Sequence, residues 1–263
     1  MRFSILGPME VTHHDEVCTP SAQKVRWTLA LLLLRANHVV DRSVLIDELW
    51  GDNPPRSAVT TMQTYIYQLR RMFGGTDPQR DVDKMIVTRA PGYGIWLQPG
   101  DQLDVIEFES AAKRGRELVA ARRYAEASGE LNQALALWRG VPLADIARGG
   151  RLLGAHMVHL EEIRLRTLEL RIAAETRLGN SQDLIPELRQ LVQAHPLNEW
   201  FHGELIRALA RSGRRGEAFD AYHALRRILR EELGLEPSVQ SQRLHHQLLT
   251  DKSSAFLSTA ASS

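Results

Sequence analysis

Cysteine is nearly absent: Cys18 stands alone among 263 residues, which excludes an internal disulfide framework and fits a reducing compartment. Long apolar runs are missing as well. The longest, Leu29 to Leu34, falls far short of the roughly 20 residues a membrane helix needs. The opening Met-Arg-Phe-Ser-Ile-Leu-Gly has neither the apolar core nor the cleavage site of a signal peptide, so a cytoplasmic protein with no membrane partner is expected. Neither sign of charge is in excess. Lys and Arg number 33 against 32 Asp and Glu, a formal net charge of +1, so a polyanion would be met by a local footprint rather than a global field. No phosphate-cradling glycine loop, nucleophile elbow or kinase signature occurs, and Gly92-Tyr-Gly94 reads as hairpin chemistry. His156 and His159, followed by Glu161 and Glu162, have helical ligand spacing but lack the arrangement that sets a base beside a metal ion. No catalysis, metal or cofactor is expected.

One further absence is local. Between Arg56 and Phe73 there is no acidic residue. Val59, Met62, Ile66, Leu69 and Phe73 recur at three- and four-residue steps and share one helical stripe. The far side carries Ser57, Thr60, Thr61, Thr64, Tyr67, Gln68 and Arg71. An ordinary solvated helix mixes Glu with Lys there. A face of hydroxyls, amides and guanidinium suits the base edges of a DNA groove.

The surroundings of that helix fit the same purpose. Short strands are expected within Arg2–Val11 and around Val17-Cys18, then a helix capped by Ser21 that buries Val25, Leu29, Leu32 and Leu33. A second short helix starts at Asp41-Arg-Ser43, and Gly51-Asp-Asn-Pro-Pro55 stops it, because proline removes donors and restricts its predecessor. Met85–Arg89 and Tyr93–Leu97 form a β-hairpin across Ala90-Pro-Gly92. Helix, turn, helix and hairpin make a winged helix-turn-helix over residues 1–99. Thr60, Thr61, Thr64, Tyr67, Gln68 and Arg71 are the expected base readers. Arg89 at the hairpin tip suits a narrow minor groove, and Lys24, Arg26, Arg56 and Arg70 are expected to hold phosphates.

Beyond Pro99-Gly-Asp101 the texture becomes helical to Leu249, and residues 103–250 form the expected second domain. Gly179 and Gly213 lie 34 residues apart in turns between amphipathic helices. Ala218, Tyr222 and Leu225 follow Gly213 at offsets five, nine and twelve, as Leu184, Leu188 and Leu191 follow Gly179. Ala127, Leu131 and Ala134 repeat the pattern after Arg122. This is a degenerate tetratricopeptide spacing. The fold class is therefore an α+β winged helix followed by an all-α tetratricopeptide-like domain, with a disordered Ser/Ala-rich tail at 251–263. An alternative reading makes the helical half a peptide-binding scaffold and the winged half a protein-interaction platform.

Taken in order, several segments resemble the Streptomyces antibiotic regulatory protein family. They are Met1–Val11, Leu29–Leu34, Val44–Pro55, Thr64–Arg71, Arg89–Tyr93, Leu135–Gly140 and Arg230–Pro237. The resemblance implies an OmpR-type winged helix joined to a bacterial transcriptional activation domain. It further implies an activator of secondary-metabolite gene clusters that binds tandem direct repeats as a head-to-tail homodimer and recruits RNA polymerase. Residues 56–73 would be the recognition helix, Arg89 the wing arginine, and Trp50, Gly51, Asp52, Asn53 and Pro54 the polymerase contact. No receiver, ATPase or sensor segment is expected, so phosphorylation of an aspartate and nucleotide control find no support.

Overall fold

The computed structural model describes residues 1–76, 81–146 and 150–260. Alternating apolar residues at the N-terminus give β1 (Arg2–Ser4), β2 (Glu10–His13) and β3 (Glu16–Val17). Phe3 and Val11 stand opposite each other in the β1–β2 ladder, and both are fully buried. The apolar run then forms α1 (Gln23–Leu34), buried almost all round from Val25 to Leu33. Its expected cap is not used: Ala22 occupies the capping position, without a side-chain bond, rather than Ser21. The chain continues through β4 (Val40–Asp41) into α2 (Arg42–Trp50), whose first turn is capped by the Asp41 carboxylate accepting from the Ser43 amide at 2.8 Å.

After the proline turn come α3 (Ala58–Thr76), α4 (Val82–Met85), β5 (Ile86–Arg89) and β6 (Gly92–Ile95). Strands β5 and β6 are the expected hairpin, and β4 pairs antiparallel with β6 to complete a three-stranded sheet. Gly92 is required at that crossing, since a Cβ there would overlap the Val40 carbonyl. Strand β7 (Gln102–Leu103) adds parallel to β1, giving the N-terminal sheet the order β3-β2-β1-β7. The two-residue strands β4 and β7 leave too little pattern to be predicted.

Helices fill the rest: α5 (Asp104–Ala120), α6 (Tyr124–Ala136), α7 (Arg151–Leu178), α8 (Ile185–Ala194), α9 (Glu199–Arg211), α10 (Arg215–Leu233) and α11 (Val239–Ala260). The stretch expected as a disordered tail enters the structure as the end of α11 as far as Ala260; 261–263 lie outside the described residues. Among the described residues no helix is long and apolar enough to cross a membrane.

Compactness divides the chain inside α7, into Met1–Leu170 and Arg171–Ser263, so the first unit takes in helices beyond the change of texture near residue 100. The reason is that α5, α6 and the start of α7 share the core of the winged part. Phe108, Ala134, Leu153 and Leu160 belong to the same buried cluster as Leu29, Leu69 and Phe73. Buried carboxylates add to this. Asp104, at the start of α5, accepts the Ile5 and Leu6 amides at 2.7 and 2.8 Å. Glu48 of α2 accepts the Leu152 and Leu153 amides at 2.6 and 3.2 Å, capping α7 where four amides lack helical partners.

The second unit keeps the repeat. Gly179 and Gly213 both adopt positive φ, 93° and 74°, in turns that follow α7 and α9. Leu184, Leu188, Ala218, Tyr222 and Leu225 are buried at the predicted offsets, while Leu191 is only half-buried.

Burial pushes the Asp104 carboxyl above its ordinary range, and the two amides pull it back only in part. An acid raised in the folded state is stabilising when protonated and loses that contribution as pH rises through and beyond its unfolded value. Asp104→Asn retains an oxygen acceptor for both amides without the charge. Wild type should therefore lose stability relative to Asp104→Asn as pH climbs above 3.8. Chemical denaturation of both proteins across pH measures this, and a difference independent of pH would contradict it.

Candidate nucleic-acid interface

Helix α3 sits on the first core by one stripe: Ala58, Met62, Ile66, Leu69 and Phe73 are each at most 6% exposed. Val59, expected on that stripe, is instead 42% exposed, and Ala58 takes the buried place in the first turn. The opposite side is open. Thr60, Thr64, Gln68 and Arg71 are exposed, and Tyr67 is 61% exposed. Thr61 is half-buried at the edge. Gln63 is also exposed, a residue the sequence reading passed over although it lies one turn before Tyr67. The Thr64 hydroxyl donates to the Thr60 carbonyl at 3.0 Å, so it can accept from a base but has no proton left to give. Its methyl group remains suited to the methyl of thymine.

The cations divide sharply. Arg56 and Arg71 are exposed. Arg70 is not a free phosphate holder: its guanidinium donates to the Ile86 carbonyl at 3.0 and 2.6 Å and to the Thr88 hydroxyl at 3.1 Å, tying α3 to β5. Lys24 and Arg26 also depart from expectation. The Lys24 ammonium donates to the Leu49 carbonyl at the end of α2 and lies over the rings of Trp27 and Trp50, 4.7 and 5.7 Å from their centroids. Burial holds its pKa below the ordinary value. Arg26 pairs with Asp145 at 3.0 Å, and that carboxylate also accepts the Met9 amide at 2.8 Å. Both side chains are half-buried because they close contacts inside the first unit.

At the hairpin tip the Ala90-Pro91 peptide is cis, and Arg89 is exposed with its guanidinium 4.9 Å from the centre of the Trp96 ring. The stacking holds it at the tip without removing its charge. The turn after α2 is exposed at Gly51, Asp52, Asn53 and Pro54, while Trp50 is half-buried and stacks on Tyr65 of α3, centroids 6.2 Å apart. Among the described residues no group of three or more His, Cys, Asp or Glu side chains is placed to hold a metal ion.

An acid-free exposed helix face beside a β-hairpin, followed by a tetratricopeptide-like unit, defines a winged-helix transcription regulator. Comparison with known proteins gives the same class. Residues 103–249 match the family described as "Bacterial transcriptional activator domain", and residues 20–95 match "Transcriptional regulatory protein, C terminal". Regulatory protein DnrI of Streptomyces peucetius is 40% identical over 95% of this chain and 92% of its own length. Regulatory protein AfsR of Streptomyces griseus is 32% identical over 95% of the chain, which spans only 24% of that longer protein. The solved structure of Mycobacterium tuberculosis EmbR in complex with a low-affinity phosphopeptide superposes with a TM-score of 0.88 at 28% identity, over 99% of this chain and 69% of that one. The chain belongs to the Streptomyces antibiotic regulatory protein family and is a DNA-binding transcription regulator.

Because Arg26 closes a contact within the protein, Arg26→Ala should cost about 1–3 kcal/mol of stability. The slope of DNA affinity against salt concentration should stay unchanged, where a lost phosphate contact would reduce it by about one. Denaturation and binding titrations at several salt concentrations separate the two roles.

Proposed function

We propose that this regulator activates a secondary-metabolite gene cluster by laying α3 in the major groove at tandem direct repeats and recruiting RNA polymerase. The observation that carries the reading is the exposed row of Thr60, Thr64, Tyr67, Gln68 and Arg71 on a helix whose other side is fully anchored. Within that row Arg71 suits the paired acceptors of guanine, Gln68 the donor and acceptor of adenine, and Thr60 and Thr64 the methyl of thymine. Thr61 and Tyr67 border the row, Tyr67 along the sugar-phosphate edge. Arg89 enters the adjoining minor groove, and Arg56, the one expected phosphate holder left exposed, fixes register.

A single winged module reads only a few base pairs. Two protomers arranged head to tail on direct repeats raise the effective concentration of each at its own half-site. The exposed turn Gly51–Pro54, backed by Trp50, is the surface offered to polymerase. The family's association with antibiotic production, and a Streptomyces regulator as a relative along nearly the whole chain, support the pathway class.

Arg71→Ala should lower discrimination between the cognate repeat and random DNA by about 1–3 kcal/mol, measured as a ratio of dissociation constants at fixed salt. Equal losses on both DNAs would refute base reading by Arg71. A footprint on the DNA flanking the gene should show protection repeated at about one helical turn. Protection of one isolated half-site would refute the tandem arrangement.

A further inference from the structure

The second unit contains a cavity that the DNA reading does not use. It lies between the C-terminal turn of α7, the turn leading to α8, and the exposed side of α9, with a volume of about 670 Å³. That is the size range of small-molecule sites, but this cavity is lined mainly by polar atoms. Three guanidiniums reach it, from Arg177, Arg207 and Arg211, and among the described lining residues one carboxylate, Glu204, opposes them. Glu204 is engaged by Arg207 at 2.7 Å within α9. Arg211 donates to the hydroxyl of Ser181, a neutral partner, at 3.1 Å. Arg177 is exposed at the rim. The formal excess is thus two positive charges, carried by Arg177 and Arg211.

Part of that charge offsets the helix ends. Arg177 and Arg211 lie in the last turns of α7 and α9, where the macrodipole places about half a negative charge. Two such ends leave roughly one positive charge over. The third guanidinium, on Arg207, is placed further from its helix end and faces the same cavity. Guanidiniums gathered around a concave site focus a positive field and match oxyanions with paired N–H donors. The Ser181 and Thr176 hydroxyls supply neutral donors beside them.

We propose that this cavity binds a phosphate monoester, whose charge at neutral pH is about −1.5 to −2. A phosphate monoester offers three acceptor oxygens to the guanidiniums of Arg177, Arg207 and Arg211, where a carboxylate offers only two. The phosphate arrives either on a small molecule or on a phosphorylated side chain of a peptide. The inference concerns the second unit and is independent of the base-reading assignments on α3.

The test is calorimetric titration of the full chain with O-phosphoserine, with serine as the uncharged control, and then with a short peptide carrying one phosphoserine. Wild type should bind O-phosphoserine and ignore serine. Arg177→Gln with Arg211→Gln should weaken binding at least tenfold while leaving affinity for promoter DNA unchanged. Glu204→Gln should tighten binding several-fold, a gain that a folding defect cannot produce. Peptide bound more tightly than O-phosphoserine assigns the phosphate to a protein partner, and equal affinities assign it to a small molecule. No binding of either phosphorylated probe to wild type, or binding insensitive to all three substitutions, would overturn the proposal.

Discussion

A carboxylate with almost no solvent holds the first unit together. Asp104 is 6% exposed, begins α5, and through one oxygen accepts two consecutive amides where β1 ends. Amides in a buried loop cost about 1–3 kcal/mol each if left unpaired. The loop after β1 can therefore pass beneath the helices only because an acceptor comes from a residue about 100 positions away. The N-terminal ammonium bonds to Asp101 at 2.7 Å in the same region, fully shielded from water. Asp145 and Glu48 repeat the arrangement at Met9 and at the start of α7. Asp104 and Glu48 join parts of the winged region to α5 and α7, and Asp145 joins Met9 to the connection between α6 and α7, all within the segment matched to the activator domain.

This constraint explains what the sequence could and could not disclose. The stripe on α3 was legible because burial there is apolar and periodic, and the hairpin because its turn residues are distinctive. The repeat around Gly179 and Gly213 was legible for the same reason. Buried acids carry no such mark. Asp104 and Glu48, like the half-buried Asp145, look like any surface charge in one dimension, so the ties they make stayed hidden. The same blindness touched the cations. Lys24 and Arg26 stand in the first turn of the buried helix α1, where two cations so close together suggest a phosphate clamp, and their partners Leu49 and Asp145 are seen only in space.

Arg70 and Arg71 show how fine the distinction is. They are neighbours of one type on one helix, separated by the roughly 100° that one residue turns. That rotation takes Arg70 to the Ile86 carbonyl and leaves Arg71 in solvent. Periodicity does assign Arg71 to the open face, but it cannot say that its neighbour finds an acceptor sixteen residues on. Val59 failed in the other sense. At the first turn of α3 the stripe runs out of core to cover it, and Ala58, small enough to sit against the preceding turn, replaces it.

The contacts that these cations make within the protein also fix the geometry that DNA binding would use. Lys24 ties α1 to the end of α2, and Trp50, the last residue of α2, stacks on Tyr65 of α3. Arg70 then ties α3 to the hairpin that carries Arg89. The open face of α3, the wing tip and the turn at Gly51–Pro54 are thus three exposed surfaces on one braced frame. On the proposed reading, that bracing sets the distance between groove and polymerase without a moving part. An activator that works by recruitment gains from such stiffness, because each flexible joint between its two contacts would lower the effective concentration of one at the site of the other.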